Sequence, residues 1–289
     1  MYMTLDVEKH GALPNRTQLM NLTASRRAHG FSLVELSIVL VIVGLIIGGV
    51  MVGRSMIRTA SVNKVLASLQ EYETATKMFQ DQYRQLPGDL NNATSYWGAA
   101  TGCATGAVGA GVCNGDGSGR VETSGTTAKS YEQFQFWRHL AQAGFIKGNY
   151  TGMGANYYKC IPGTNCLKGP FSGTGFSVLH VSNNGTNYWW VMPMALTVIF
   201  GMDGGGYPLY PVLTAAEAYQ IDFKADDGKP GTGKIINGTA STAYDAGCAT
   251  ASDGSAITGN GTAAAALDAI YAVNTTTGPK CALQYRLDL

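Results

Sequence analysis

Charge is scarce in this chain. Only 13% of its 289 residues are Asp, Glu, Lys or Arg, and 20 basic residues face 19 acidic ones. No basic field exists to collect nucleic acid or anionic lipid, so no nucleic-acid partner is expected for the chain by itself. Histidine is also rare, at four residues. The two beyond residue 30, His139 and His180, fall in a candidate helix and a candidate strand, where packing is the ordinary role. G-x-S-x-G, H-E-x-x-H, the phosphate-binding loop and the dinucleotide fingerprint are all absent. The chain is therefore read as a non-enzyme, with no cofactor required. Internal repeats are not evident.

Cysteine is missing from the first 102 residues and never forms a C-x-x-C pair, which argues against zinc-ribbon or thioredoxin-like chemistry. The six cysteines that do occur, Cys103, Cys113, Cys160, Cys166, Cys248 and Cys281, are disulfide candidates and place the body of the protein in an oxidising space. Six thiols allow about 15 pairings, of which nearest neighbours (103 with 113, 160 with 166, 248 with 281) are the simplest. Glycine reaches 38 residues, gathered after residue 98 with Ser, Thr and Asn, a composition that suits short strands and many loops.

One long apolar run stands out. Residues 31–52 carry a single charge, Glu35, and are long enough to cross a hydrocarbon core of about 30 Å. Arg26, Arg27 and His29 precede the run, and Arg54 and Arg58 follow it; the nearer basic cluster favours a cytoplasmic amino terminus. A secretory signal peptide would have a shorter apolar core, about 7 to 15 residues, and an A-x-A-like cut, which is lacking here. A carboxylate in such a run costs about 2.5 to 3.5 kcal/mol on insertion scales and so calls for a partner. Gly44 with Gly48 and Gly49 with Gly53 fit the small-xxx-small spacing of close helix approach, although glycine is common in membrane helices.

The stretch Gly30-Phe31-Ser32-Leu33-Val34-Glu35-Leu36 resembles the processing site of type IV pilins and type II secretion pseudopilins. The resemblance implies a cut between Gly30 and Phe31 by a prepilin peptidase that also methylates the new amine. It further implies that Glu35 serves assembly by pairing with the amine of a neighbouring subunit. Other pilin or pseudopilin subunits, an inner-membrane assembly platform and membrane lipid are the implied partners. The expected location is the inner membrane, single pass, with the head periplasmic or at the cell surface. The proline that many relatives carry late in the span is absent. The expected organisation is a leader over 1–30, a transmembrane and polymerisation helix over 31–52, its amphipathic half over 53–86, and a head over 87–289.

That head and helix define an α+β, pilin-like fold class with a small antiparallel sheet. Ile57, Val62, Val65, Leu69, Tyr72, Phe79 and Tyr83 form an apolar stripe, with Lys64, Glu71, Lys77 and Arg84 facing away, so the helix is expected to run over 31–85 and stop before Pro87. In the head, Ser130 with Gln133 and Thr214 with Glu217 have capping-box spacing and start helices over 131–143 and 215–225. FSVLHV and NYWWVM, joined by Asn183-Asn184-Gly185-Thr186, read as a hairpin; ALTVIF and KIIN supply further strands.

Asn114, Asp116, Ser118 and Glu122 echo the first positions of an EF-hand loop and make calcium the expected ion if any is bound. Gly125 stands where the bidentate acid belongs, and a glycine turn beside a disulfide is the plainer reading. The size of the head points to a minor rather than a repeating major subunit. The rival reading is a membrane-anchored adhesin or ligand-binding protein that uses Tyr188, Trp189 and Trp190.

Overall fold

The computed structural model describes residues 30–103, 111–122, 132–154, 159–181, 195–237, 247–252, 267–274 and 277–289. The chain falls into two compact units, one ending at Val52 and the other running Gly53–Leu289.

Helix α1 is Leu33–Tyr83. It ends two residues before the expected Gln85 because Arg84 adopts a left-handed conformation, φ 61°. The Arg84 N–H still donates to Gln80 O at 2.8 Å, and the chain then leaves the helical ladder. Within the second unit, Val62, Val65, Leu69, Tyr72 and Phe79 are buried while Lys64, Glu71, Lys77 and Arg84 are exposed. The stripe begins later than its spacing suggested. Ile57 is 69% exposed, because the helix face it occupies has no part of the head against it at that level.

Among the described residues three further helices are α2 (Ala93–Trp97), α3 (Glu132–Gln142) and α4 (Ala215–Ala225). Helix α2 has no counterpart among the elements expected from the sequence. Ser130, the expected cap of α3, lies outside the described residues. Thr214 caps α4 with both bonds of the box present: its side chain accepts from Glu217 N–H, and Glu217 accepts from Thr214 N–H.

A five-stranded antiparallel sheet has the order β1 (Leu167–Lys168), β2 (Thr174–Val181), β3 (Ala195–Met202), β7 (Leu283–Arg286), β4 (Ile235–Ile236). Strands β5 (Ala249–Ala251) and β6 (Ala269–Tyr271) form a separate pair. Strand β2 pairs along its whole length with β3, the segment expected as a third strand. NYWWVM and its turn, with Tyr188, Trp189 and Trp190, lie outside the described residues.

Cross-strand partners share a face, so Val178, Val198, Tyr285 and Ile235 form one row and Phe176, Phe200 and Leu283 another. Both rows join the α1 stripe and Trp137 and Leu140 of α3 in a single core. Tyr72 is its junction, edge-on to Trp137 at 5.4 Å and to Phe176 at 5.2 Å. Just past α1, Gly88 has φ 87°, and a Cβ there would lie 2.4 Å from Glu132 O, so only glycine fits against α3. Its N–H donates to His139 Nδ1 at 2.9 Å, and His139 Nε2 donates to Cys113 O at 3.0 Å. Both ring nitrogens are thereby used, and burial pushes the imidazole down to about 4.

The six cysteines join as Cys103–Cys113, Cys160–Cys166 and Cys248–Cys281, the nearest-neighbour set. Most of the bridged sulfurs belong to residues with almost no solvent exposure.

Candidate functional site

Gly30, Phe31 and Ser32 precede the helix, and all are exposed, Phe31 to 80%. Ser32 then stops the helix from extending backwards. Its hydroxyl oxygen accepts from Glu35 N–H at 3.2 Å, while a Glu35 carboxylate oxygen accepts from Ser32 N–H at 2.8 Å. These are the two reciprocal bonds of a capping box, and S-x-x-E is its sequence signature. That spacing of Ser32 and Glu35 is a local signal of the cap, a role for Ser32 that the expectations above do not include. Among the described residues Glu35 has no ion-pair partner; it is engaged by a backbone amide alone.

Every residue from Phe31 to Val52 is exposed, and the most apolar 18-residue window of α1 has a mean hydropathy of 2.8 with none of it buried. An apolar surface that continues around the whole helix cannot remain in water. Length and composition suit a membrane span, which fits anchoring by this segment.

The acid in the other half of α1 is treated differently. Glu73 is buried at 8% exposure. Lys234 donates to both its carboxylate oxygens at 2.9 and 2.7 Å, Tyr285 Oη donates at 2.5 Å, and Lys77 donates at 2.9 Å. Burial would raise this carboxyl, but the hydrogen bonds from Lys234, Tyr285 and Lys77 outweigh it and bring it down to about 2. Nearer the start of the same unit, Arg58 donates to both oxygens of Glu217 at 2.6 and 2.7 Å and to Val212 O at 2.8 Å, with its guanidinium 4.5 Å from the centre of the Phe171 ring. Arg58, counted in the sequence as a flanking charge, is thus part of how the head holds α1.

The calcium candidates occupy a loop clamped by acids from elsewhere. Asn114 Oδ1 accepts from Thr94 N–H at 2.9 Å, in the first turn of α2. Asp116 Oδ1 accepts from Ser118 N–H at 2.8 Å. Ser118 and Gly119 also donate their N–H groups to the two oxygens of Asp89, at 2.9 and 2.8 Å. Glu132 accepts from Asp116 N–H and Glu122 N–H, both at 2.9 Å. Asp89, Asp116 and Glu132 each bring a carboxylate oxygen within 4.8 Å of the others.

Three anions this close resist full ionisation. Burial, aided by the charges of Asp89 and Asp116, raises the Glu132 carboxyl to about 7 against the backbone bonds that would lower it. Burial also raises Asp89. Asp116, fixed chiefly by the Ser118 N–H, moves down. Neither Asp89 nor Glu132 could be assigned from a local motif, since 43 positions separate them.

A second acidic group, Asp222, Asp226 and Asp227, closes the DDGKPGTG loop. Asp222 accepts from Tyr271 Oη at 2.5 Å and from Gly228 N–H at 3.1 Å; Asp226 accepts from Ile235 N–H at 3.0 Å and from Lys234 N–H; Asp227 accepts from Lys229 N–H at 2.8 Å. Burial lifts Asp222 to about 7.

A capped helix whose first turns are apolar on every side, with one acid in that surface, fits a membrane anchor. Residues 25–51 match the model of the prokaryotic N-terminal methylation motif. The match bears out the resemblance to the type IV pilin and pseudopilin family and implies a pilin-type subunit, processed by prepilin peptidase and assembled with other pilin subunits. No curated protein and no solved structure matches the chain.

Proposed function

We propose that this chain is a structural subunit of a type II secretion pseudopilus or a type IV pilus, and a minor component of it. A prepilin peptidase cuts between Gly30 and Phe31 and methylates the new amine. The segment 31–52 then holds the subunit in the inner membrane, single pass, with the head outside the cytoplasm, until an inner-membrane platform draws it from lipid into the filament. The observation that carries this reading is Glu35: an acid on a wholly apolar helix surface, with no ion-pair partner among the described residues. A neighbour's Phe31 ammonium supplies the missing cation, and burying the pair together avoids stranding either charge in oil.

Mass spectrometry of membrane-extracted protein tests the cut and should find a chain beginning at Phe31 with one added methyl group. A chain still carrying residues 1–30 in a peptidase-competent host would overturn the reading. Glu35→Gln tests assembly separately, because glutamine keeps an acceptor for the capping box and removes only the charge. It should leave the head folded and abolish incorporation into filaments. Calcium is a subsidiary proposal: Asp116 stands with Asp89 and Glu132, and a divalent cation would relieve their repulsion. In that case chelation lowers the melting temperature of the head, and an unchanged value removes calcium from the account.

A further inference from the structure

The capping box stands immediately beside the bond expected to be cut. Peptidases take their substrates as extended chain, because a helix ties the scissile carbonyl and amide into its own ladder and shields them with its turns. Gly30 and Phe31 are exposed and non-helical, and Ser32 fixes Leu33 as the first helical residue. Without a cap, little else in the chain opposes one more turn. Phe31 is compatible with helix, and a single glycine resists only weakly.

We propose that Ser32 is a positioning residue for leader removal: by capping α1 it keeps the helix from growing back over the Gly30–Phe31 bond. Hydrolysis consumes one water, breaks the bond from the Gly30 carbonyl carbon to the Phe31 nitrogen, and leaves a carboxylate on Gly30 and an ammonium on Phe31. Ser32 touches none of the reacting atoms. The box also parks Glu35 on the Ser32 N–H until assembly, so the same two residues serve cutting first and pairing second. This inference rests on the reading that the leader is removed between Gly30 and Phe31.

The test uses the full-length precursor in membranes containing the peptidase, with the rate of leader release as the readout for Ser32→Ala, Ser32→Thr and Ser32→Gly. Loss of a cap of ordinary strength should slow Ser32→Ala about fivefold. Threonine retains the capping oxygen and should cleave close to the wild-type rate. Glycine is the deciding variant: it lacks the hydroxyl yet is a far better N-cap than alanine, so it should fall near wild type. If glycine is as slow as alanine, the peptidase reads the hydroxyl itself and the positioning role is overturned. If alanine cleaves at the wild-type rate, the role is likewise overturned while the cut stands. If the wild-type precursor is not cut at all, the processing assignment fails instead. Amide hydrogen exchange at Phe31 in an uncleavable Gly30 variant gives a second readout: protection there should rise in Ser32→Ala and not in Ser32→Gly.

Discussion

Two of the acids on helix α1, Glu35 and Glu73, teach opposite lessons. Glu73 sits among Lys234, Tyr285 and Lys77, all from its own chain, and is settled as a carboxylate by the completed head. Glu35 has a capping bond and nothing more among the described residues. The fold supplies a counter-charge where the helix meets the head and withholds one where the helix is exposed. An acid neutralised within the chain stabilises the head, whereas under the proposed function the other acid is left for a neighbouring subunit.

Exchanging the acids breaks that contrast most sharply. Glu73→Ala leaves the Lys234 ammonium with the Asp288 carboxylate, 3.1 Å away, as its remaining ion-pair partner and should destabilise the head by about 2 kcal/mol, read from denaturant unfolding of the full chain in detergent. Glu35→Ala should leave the same head unchanged within error and stop filament formation. Equal losses of head stability in both variants would erase the distinction.

The next effect depends on pH. Glu132 and Asp222 rise on folding to about 7 from ordinary values of 4.5 and 3.8, so the native head binds their protons more tightly than the unfolded chain does. Their contribution is complete below those unfolded values and disappears as pH climbs through 7. His139 works in the other direction. Its pKa falls to about 4 from 6.5, so the native state resists protonation there and stability is lost as pH falls across that window. Glu132→Gln removes one of the carboxyls that favour acid. Its melting temperature should therefore decline less than the wild type between pH 5 and pH 7. Glu73, lowered to about 2, adds a further loss as pH drops from 4.5.

The smallest effect concerns where α1 ends. Arg84 pays for a left-handed backbone that glycine adopts freely, so Arg84→Gly should stabilise the head by about 1 kcal/mol or less, a rise of a few degrees in melting temperature. A fall would mean that the arginine side chain holds that turn.

Much of the fold was readable because its signals are local. The stripe from Val62 to Phe79, the Thr214 box and the ALTVIF strand each lie within one helix or strand, and periodicity or capping chemistry declares them. The errors arise where distant segments decide. Ile57 obeys the spacing yet is left exposed, and the pairing of FSVLHV with ALTVIF has no local signal. The processing motif was legible as a contiguous run. The partners of Asp116 were not, since Asp89 follows α1 and Glu132 opens α3, and only folding brings them to one loop.

The hydrogen bond from Tyr285 to Glu73 spans 212 positions of chain. Under the proposed orientation the amino end stays inside and the chain emerges from the apolar segment onward, presenting Glu73 and the apolar stripe around it long before Lys234 or strand β7 follows. For that interval the amphipathic half of α1 is an unfinished surface. The head closes late, around a helix that has been waiting for it, and a translocating subunit is most vulnerable to aggregation and proteolysis until the strand carrying Tyr285 arrives.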